Sequence, residues 1–502
     1  MTDDRSAVSP LRRMVVIGGG TAGWMAAAAM SKLLGSQCTI TLIESPSIGT
    51  VGVGEATVPS LIAFHEFLGI DETAFVAATQ GTYKLGIDFR DWRGPGTSYF
   101  HSFGAFGVGG EHTLFQSQWL RARAQGQASP LDDWSVTRQA AAQRRFTLAD
   151  KSDPVASRLN HAYHIDAALY AQFLRTYAEA RGVVRIEGDI VEVVQDDRGF
   201  IADLRLADGR SFETDFVIDC SGFRGLVIEQ TLKAGFIDWS HWLPCDRAIA
   251  IQCEHPDDER LPYTQATALE AGWQWRIPLR HRMGNGYVYS SQHISDAEAE
   301  DRLMSSLAAT IGTPRRLGFT AGRRAKMWEG NCVALGLASG FLEPLESTSI
   351  QLIQSGIIRL IELFPDRHCA VGLRDEYNRK MAYEYEGIRD FILLHYTASG
   401  RTDTPFWRQM NTLEQPESLI YRQSVYERTG HIVLADAGGF TEANWLSIYA
   451  GLEIWPQTWP PAIDMQETPE LKRHFANLPA AIKASVARMP MHQAFLKAHF
   501  PA

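Results

Sequence analysis

The sequence predicts an α/β fold in which a Rossmann-like parallel sheet is combined with an interleaved and C-terminal, mainly helical substrate domain. Residues 14–44 form a pattern of strand, glycine turn, helix and second strand. Strand-like runs between residues 183 and 221 indicate a β-meander that rejoins the sheet. Helical patterns predominate after residue 365.

Taken in order, residues 14–17 are a buried strand, residues 23–34 an alanine-rich helix and residues 38–44 a second strand. Residues 183–195, 200–206 and 211–220 are strands separated by hairpin signals. Ile350, Ile353 and Ile357 recur at helical spacing, Ser347 and Thr348 precede them as caps, and Pro365 ends the helix. The sequence has no internal repeat.

Composition indicates a globular protein. The 502 residues are 45% hydrophobic and 21% charged, which excludes a disordered or fibrous chain. A net charge of −10 without long Lys/Arg runs argues against nucleic-acid binding. The six scattered cysteines include no CxxC pair, so we expect no metal site and a reducing, cytoplasmic location.

One apolar stretch, residues 14–30, follows two arginines and resembles an export signal. Its three consecutive glycines disfavour a signal or membrane helix. No other apolar stretch is long enough to span a bilayer, so we expect no membrane association.

The glycine turn has the context of a dinucleotide site. GGGTAG at residues 18–23 follows a strand and opens a helix, and Glu44 ends the next strand. The glycines let the backbone approach a pyrophosphate, the helix N–H groups bind its charge, and Glu44 accepts from ribose hydroxyls. The expected cofactor contacts are Gly18, Gly20, Thr21, Ala22, Gly23 and Glu44. A glycine turn without a ligand is the structural alternative.

FAD is favoured over NAD by a later segment. VIDCSG at residues 217–222 is a strand ending in a small-residue turn after the meander, as in FAD-dependent monooxygenase folds. VALGLASG at residues 333–340 lacks the aspartate that aromatic hydroxylases carry there, which disfavours a simple hydroxylase. No second GxGxxG is present for NAD(P)H, so we expect a separate flavin reductase to supply reduced FAD.

We expect a flexible tail over residues 1–10 and a discontinuous FAD-binding domain over residues 11–110, 155–235 and 320–365. The substrate-binding region is expected over residues 111–154, 236–319 and 366–502.

Several separated motifs resemble those of the flavin-dependent tryptophan halogenases. Besides the glycine turn, they are GVGEATVP at residues 52–59, GWQWRIP at 272–278 and GFLEPLESTSI at 340–350. TYKLGIDF at residues 82–89 is similar to the segment that bears the family's active lysine. The resemblance covers at least residues 14–365.

The resemblance implies an enzyme that uses reduced FAD, O2 and chloride or bromide to make hypohalous acid. The oxidant moves to a second site, where Lys84 holds it by a hydrogen bond or as a haloamine and an aromatic carbon attacks the halogen. Glu346 matches the carboxylate that orients the oxidant and accepts the ring proton, with Glu343 as a nearby competitor. A surface lysine and a first-turn acid are the structural alternatives.

The resemblance also assigns residues to the halide and the flavin. Thr348 and Ser349, at a helix start with free N–H groups, match the halide position. The family commonly has glycine where this chain has Ser349, which bears on halide preference. The further flavin contacts are expected to be Ala56, Val191, Leu337 and Ile350.

Substrate recognition is expected to be aromatic. His101 and Phe103 match positions that sandwich an indole, and Trp455 is expected to complete the stack. Trp273 and Trp275 match the passage between flavin and substrate, with sheet packing as the alternative. Residues 440–446, FTEANWL, lack the paired-tyrosine lid that grips free tryptophan. Indole, a small derivative or a larger tethered indole therefore remain open as substrates.

Two other functions are compatible with a dinucleotide fold. A flavin monooxygenase that hydroxylates aromatic rings would share the fold but not the lysine or the WxWxIP motif. A non-catalytic scaffold that binds a partner chain is the other alternative, because fold alone does not establish chemistry. Oligomeric state, regiochemistry and halide preference do not follow from the sequence.

Overall fold

The structure is a computed structural model that describes residues 9–46, 54–107, 112–149, 152–256, 258, 260–434, 439–465 and 469–501. The predicted flexible tail lies almost wholly outside the described residues. So does the first part of the GVGEATVP motif, residues 52 and 53.

The strands are, in chain order, β1 (Arg13–Ile17), β2 (Thr39–Glu44), β3 (Gly54–Ala56), β4 (Thr82–Lys84), β5 (Gly86–Arg90), β6 (Ser98–Ser102), β7 (Ala162–Asp166), β8 (Val184–Glu187), β9 (Ile190–Gln195), β10 (Ile201–Leu206), β11 (Ser211–Glu213), β12 (Phe216–Asp219), β13 (Phe236–Asp238), β14 (Arg247–Cys253), β15 (Thr264–Leu269), β16 (Gly272–Pro278), β17 (Met283–Tyr289), β18 (Thr310–Gly318), β19 (Gly322–Arg324), β20 (Trp328–Glu329), β21 (Cys332–Ala334) and β22 (Gly340–Phe341).

The α-helices are α1 (Thr21–Leu34), α2 (Ser60–Leu68), α3 (Glu72–Ala78), α4 (His112–Ala124), α5 (Val136–Ala142), α6 (Ala167–Glu179), α7 (Asp296–Met304), α8 (Ser349–Glu362), α9 (Val371–Thr397), α10 (Pro405–Asn411), α11 (Glu417–Thr429), α12 (Glu442–Gly451), α13 (Pro469–Arg488) and α14 (His492–His499).

A parallel sheet forms the cofactor half, as predicted. Its strand order is β20-β21-β12-β1-β2-β8, and only the β20 edge is antiparallel. The central strand β1 pairs in parallel with both β12 and β2, which places Val16 opposite Ile218 and Leu42. Alanines 26–29 of α1 are fully buried and let that helix lie close against β1, β2 and α6.

The β-meander is confirmed, but its strands are shorter than the hydrophobic runs suggested. Strands β9, β10 and β11 form it, whereas β8 and β12 belong to the parallel sheet. The first run breaks at Gly188, whose N–H donates to the Glu44 carbonyl. The last run breaks at Asp215, whose carboxylate accepts from the backbone N–H groups of Arg12 and Arg13.

A second, seven-stranded sheet has the order β18-β14-β17-β16-β15-β5-β6. It joins residues 86–102, assigned above to the FAD domain, with residues 247–318, assigned to the substrate region. Residues 236–319 of the substrate region are therefore mainly strand, whereas its first segment contributes α4 and α5 and its C-terminal part contributes α9–α14. Among the helices that the structure describes, none is both long enough and apolar enough to cross a membrane.

Candidate functional site

The glycine turn shows two kinds of glycine. Gly18 has a φ of +106°, and a Cβ there would be 2.4 Å from the Cys220 carbonyl oxygen. A Cβ at Gly23 would be 1.8 Å from the Gly18 carbonyl oxygen, so both glycines are required for packing. Gly20 differs, because a Cβ there would meet no atom within 4 Å. The open space beside Gly20 fits the close approach of a pyrophosphate.

Glu44 lies against this turn. A Cβ on Gly19 would be 1.4 Å from Glu44 Oε2, so the carboxylate occupies the space next to the backbone that would face a ribose. Arg185 of β8 forms an ion pair with Glu44. Sequence analysis missed Arg185. It lies on the edge strand β8, which the hydrophobic pattern merges with β9 into one strand over residues 183–195.

The turn at residues 336–338 reaches the start of α1. A Cβ on Gly336 would be 2.8 Å from the Ala22 Cβ and 3.7 Å from a side-chain carbon of Ile353 in α8. Leu337 in this turn is 38% exposed. The predicted cofactor residues Ala22 and Leu337 therefore lie close together, with α8 beside them.

The remaining predicted flavin contacts are less closely grouped. Ile350 is buried in the first turn of α8, and Ala56 is buried at the end of β3. Next to it, burial raises the pKa of Glu55 to about 7. Val191 is 66% exposed on β9 of the meander, so the described residues leave most of its side chain uncovered.

Lys84 ends the short strand β4 and is completely buried. Its Nζ donates to the Thr57 carbonyl oxygen at 3.0 Å and to Ser347 Oγ at 2.8 Å. The same Nζ lies 5.0 Å from the ring centre of Phe103. Burial lowers the pKa of Lys84 to about 7, although the Glu346 carboxylate acts in the opposite direction. The amine can therefore exist in either protonation state near neutral pH.

Glu346 is a buried carboxylate held between two histidines. His101 Nδ1 lies 2.7 Å from Oε2, and His395 Nε2 lies 2.8 Å from Oε1. Burial favours the protonated acid, but His101 and His395 together lower the pKa of Glu346 to about 2. On the far side of His395, Tyr99 Oη lies 2.7 Å from Nδ1. Glu346 is consequently ionised at neutral pH.

A cavity of about 500 Å³ opens onto this cluster. His101, Phe103 and Glu346 line it. The other walls are formed by residues 58–60 at the start of α2, by residues 104–106 after β6, and by residues 439–444, which lead into α12. Glu343 does not appear among its described lining residues. Its carboxylate accepts a 2.5 Å hydrogen bond from Tyr396 instead, so of the two acids Glu346 faces the cavity.

Trp455 lies elsewhere. The Arg123 guanidinium carbon is 3.5 Å from its ring centre, and the Trp119 ring is 5.7 Å away. Trp455 is absent from the described lining of the cavity. The tryptophans of the WxWxIP motif, Trp273 and Trp275, are both buried on β16, with ring centres 6.1 Å apart.

The start of α8 brings the predicted halide residues together. Thr348 is the N-cap residue of α8, and Ser349 is the first residue of that helix. The side chain of Thr348 makes no capping hydrogen bond, and its buried Oγ1 has no partner among the described residues. Ser347 adopts a φ of +61° and accepts from Lys84. Thr348 therefore occupies the predicted N-cap position, but neither hydroxyl makes a capping hydrogen bond: that of Ser347 accepts from Lys84, and that of Thr348 has no partner among the described residues.

The described wall of the cavity carries acidic side chains. Its described lining includes the carboxylates of Glu346 and Glu442 but no lysine or arginine. Lys84 lies behind Phe103 rather than in the wall.

Two residues that sequence analysis missed complete the cluster. His395 is near the end of the long helix α9, and Asn444 is in the first turn of α12. Asn444 Nδ2 lies 2.8 Å from His101 Nε2. Neither residue belongs to a local motif, so only the tertiary arrangement identifies them.

Comparison with known proteins gives a consistent result. A sequence profile of the family described as tryptophan halogenase matches residues 13–468. Among solved structures, Xcc4156, a flavin-dependent halogenase from Xanthomonas campestris, is 47% identical with a TM-score of 0.93, covering 98% of this chain and 99% of that chain. BrvH, a flavin-dependent halogenase from Brevundimonas sp. BAL3, is 45% identical with a TM-score of 0.92 and the same coverage. Tryptophan 7-halogenase RebH of Lentzea aerocolonigenes is 36% identical over 489 residues, covering 90% of this chain and 91% of the relative.

Proposed function

The chain belongs to the tryptophan halogenase family, and from this premise we propose that it is a flavin-dependent halogenase acting on an indole that carries no carboxylate. The observation that carries the proposal is the position of Lys84 and Glu346. Glu346 and Phe103 line one cavity, and Lys84 Nζ bonds to Ser347, the residue after Glu346, and lies 5.0 Å from the ring centre of Phe103.

The residues present fit FAD and a halide. Gly20 leaves open space for the pyrophosphate, and Glu44 lies beside it for the ribose. Leu337 and Ile350 border the place where the flavin ring would lie. The unpaired hydroxyl of Thr348 and the free N–H groups at the start of α8 would hold chloride or bromide. When bound in its reduced form, FAD would supply the two electrons that convert O2 into the oxidant of the halide, and a separate flavin reductase would supply the reduced form.

Lys84 then receives the hypohalous acid. As an ammonium it donates to the oxygen of the oxidant, and as a free amine it accepts the halogen. A pKa of about 7 leaves both forms accessible. Two acceptors, the Thr57 carbonyl and Ser347 Oγ, fix the direction of Nζ.

Glu346 faces the substrate carbon. Because it is ionised, it can accept the proton that the ring loses after it has been halogenated.

The decisive experiment is mass spectrometry of indole and tryptophan incubated with the enzyme, FAD, a generic flavin reductase, NADH and bromide or chloride. We expect a monohalogenated product from indole. Lys84→Ala should abolish that product while reduced FAD is still oxidised by O2 at nearly the wild-type rate. Product formation at the wild-type rate by this variant would refute the role of Lys84, and hydroxylated indole as the product would identify a monooxygenase.

A further inference from the structure

We propose that Asn444 is a positioning residue that fixes the tautomer of His101 and thereby supplies Glu346 with a hydrogen-bond donor. The inference rests on the proposed role of Glu346. It concerns a residue on α12, the helix that forms part of the cavity wall.

The orientation of the Asn444 side chain is set by its other contacts. Its Oδ1 accepts from the backbone N–H of Thr441 and from Thr441 Oγ1, both at 2.8 Å. A backbone N–H can only donate, so the amide oxygen must face Thr441. The amide nitrogen then faces His101 Nε2 at 2.8 Å.

This orientation determines which nitrogen of His101 carries the proton. The Asn444 amide nitrogen has only donors, so His101 Nε2 must accept and cannot bear hydrogen. The proton of a neutral imidazole is therefore on Nδ1, 2.7 Å from the ionised Oε2 of Glu346. The reverse tautomer would set two donors against each other at Nε2 and two lone pairs against each other at Nδ1.

A second histidine, His395, lies beside the other oxygen of Glu346. Burial raises the pKa of Tyr99 well above its usual value, so its phenol keeps the proton and can donate to His395 Nδ1. His395 Nε2 lies 2.8 Å from Glu346 Oε1, although neither atom has a hydrogen-bond partner among the described residues. Each oxygen of Glu346 thus lies next to one histidine nitrogen, and the first turn of α12 orients the histidine beside Oε2.

Asn444→Asp is the sharpest test. Aspartate keeps an oxygen for Thr441, so the start of α12 is preserved, but it presents an acceptor to His101 where asparagine presents a donor. His101 should then protonate on both nitrogens and lie as an imidazolium between two carboxylates. The positive charge would make Glu346 a poorer proton acceptor.

We expect Asn444→Asp to lower kcat for halogenation at least tenfold, with KM for indole changed less than twofold and the O2-dependent oxidation of reduced FAD unchanged. Asn444→Ala should show a smaller loss of kcat. Ser447→Ala is the matched control, because it removes a 2.9 Å hydrogen bond one turn further along α12 without touching His101, and kcat should remain at the wild-type value.

The second readout does not depend on activity. In the ¹⁵N spectrum of histidine-labelled enzyme, with the His101 signals assigned by their loss in His101→Gln, the wild type should show a protonated Nδ1 and an unprotonated Nε2. Asn444→Asp should show both nitrogens protonated. A wild type protonated on Nε2, an unaltered His101 spectrum in Asn444→Asp, or a wild-type kcat in Asn444→Asp would overturn the proposal. Failure of the proposed function would appear separately, as an absence of halogenated product from the wild type.

Discussion

Lys84 places a titratable amine in a completely buried position, and this has a consequence for stability. Its pKa is about 7 in the folded chain and 10.5 as the ordinary value for an exposed lysine. Between these two pH values the unfolded chain binds a proton that the folded chain does not, so the lysine's contribution to stability increases with pH. Below pH 7 the folded protein must keep a buried ammonium.

We therefore expect Lys84→Met to raise the free energy of unfolding most, relative to the wild type, at low pH. The difference in the free energy of unfolding, variant minus wild type, should fall by a few kcal/mol between pH 6 and pH 10, at about 1.4 kcal/mol per pKa unit. Urea unfolding of both proteins at pH 6, 8 and 10 measures this difference. A difference that does not change with pH would mean that burial does not lower the pKa of Lys84.

Glu346 is the second residue whose chemistry can be isolated. Glu346→Gln keeps the shape of the side chain but removes the proton acceptor and the charge. Halogenation should slow by about 10²–10⁴-fold, the usual contribution of a general base, while oxidation of reduced FAD continues. Single-turnover product formation measures this, with Glu343→Gln as the matched comparison, since Glu343 faces Tyr396 and lies outside the described cavity wall. A larger loss of halogenation in Glu343→Gln than in Glu346→Gln would reverse the assignment of the two acids.

The turn between β1 and α1 contains two kinds of glycine. Gly18 and Gly23 pack closely against other atoms, whereas Gly20 borders open space. Gly20→Ala adds a methyl group to open space with an ordinary backbone conformation, so the protein should fold normally. Its FAD affinity should fall at least tenfold, because the methyl group obstructs the pyrophosphate. Flavin fluorescence titration and thermal unfolding measure the two effects.

Gly23→Ala is the contrasting variant. Its Cβ would be 1.8 Å from the Gly18 carbonyl oxygen, so the backbone must shift and the unfolding temperature should fall. If Gly20→Ala bound FAD as tightly as the wild type, the open space beside Gly20 would have no part in cofactor binding.

At the scale of elements, the sequence patterns predicted what is local. The glycine turn, Glu44 and helix α8 follow from short-range spacing, and all lie where the pattern indicated. The patterns failed where a break in a strand is caused by a distant partner. Gly188 ends one run by bonding to Glu44, and Asp215 ends another by binding the backbone of residues 12 and 13.

The same distinction holds in the site. Lys84, Glu346 and Thr348 were identified through motifs in which each residue has a recognisable neighbourhood. His101 was predicted to stack on the substrate, and the structure adds a bond to Glu346, which lies 245 positions away in the chain. No local pattern encodes a contact over that separation, because it is fixed only when the second sheet and α8 have packed together.

Charge distribution over the whole molecule leads to a prediction about substrates. The chain has a net charge of −10, and the described cavity wall holds Glu346 and Glu442 without a lysine or arginine. A carboxylate entering this cavity would lose its hydration and meet no lysine or arginine among the described wall residues, whereas a neutral ring loses no charge hydration and an ammonium is attracted by Glu346.

Four indoles that differ in charge test this prediction. We expect kcat/KM for indole and tryptamine to be at least that for tryptophan, and for indole-3-acetate, whose only charge is negative, to be the lowest, at least tenfold below indole or about 1.4 kcal/mol in transition-state free energy. Pairwise competition at equimolar concentration, with bromide and product ratios read by mass spectrometry, removes any effect of flavin supply. A tenfold preference for tryptophan over indole would show that a site for its carboxylate exists, and equal rates for tryptamine and indole-3-acetate would show that the cavity does not discriminate by charge.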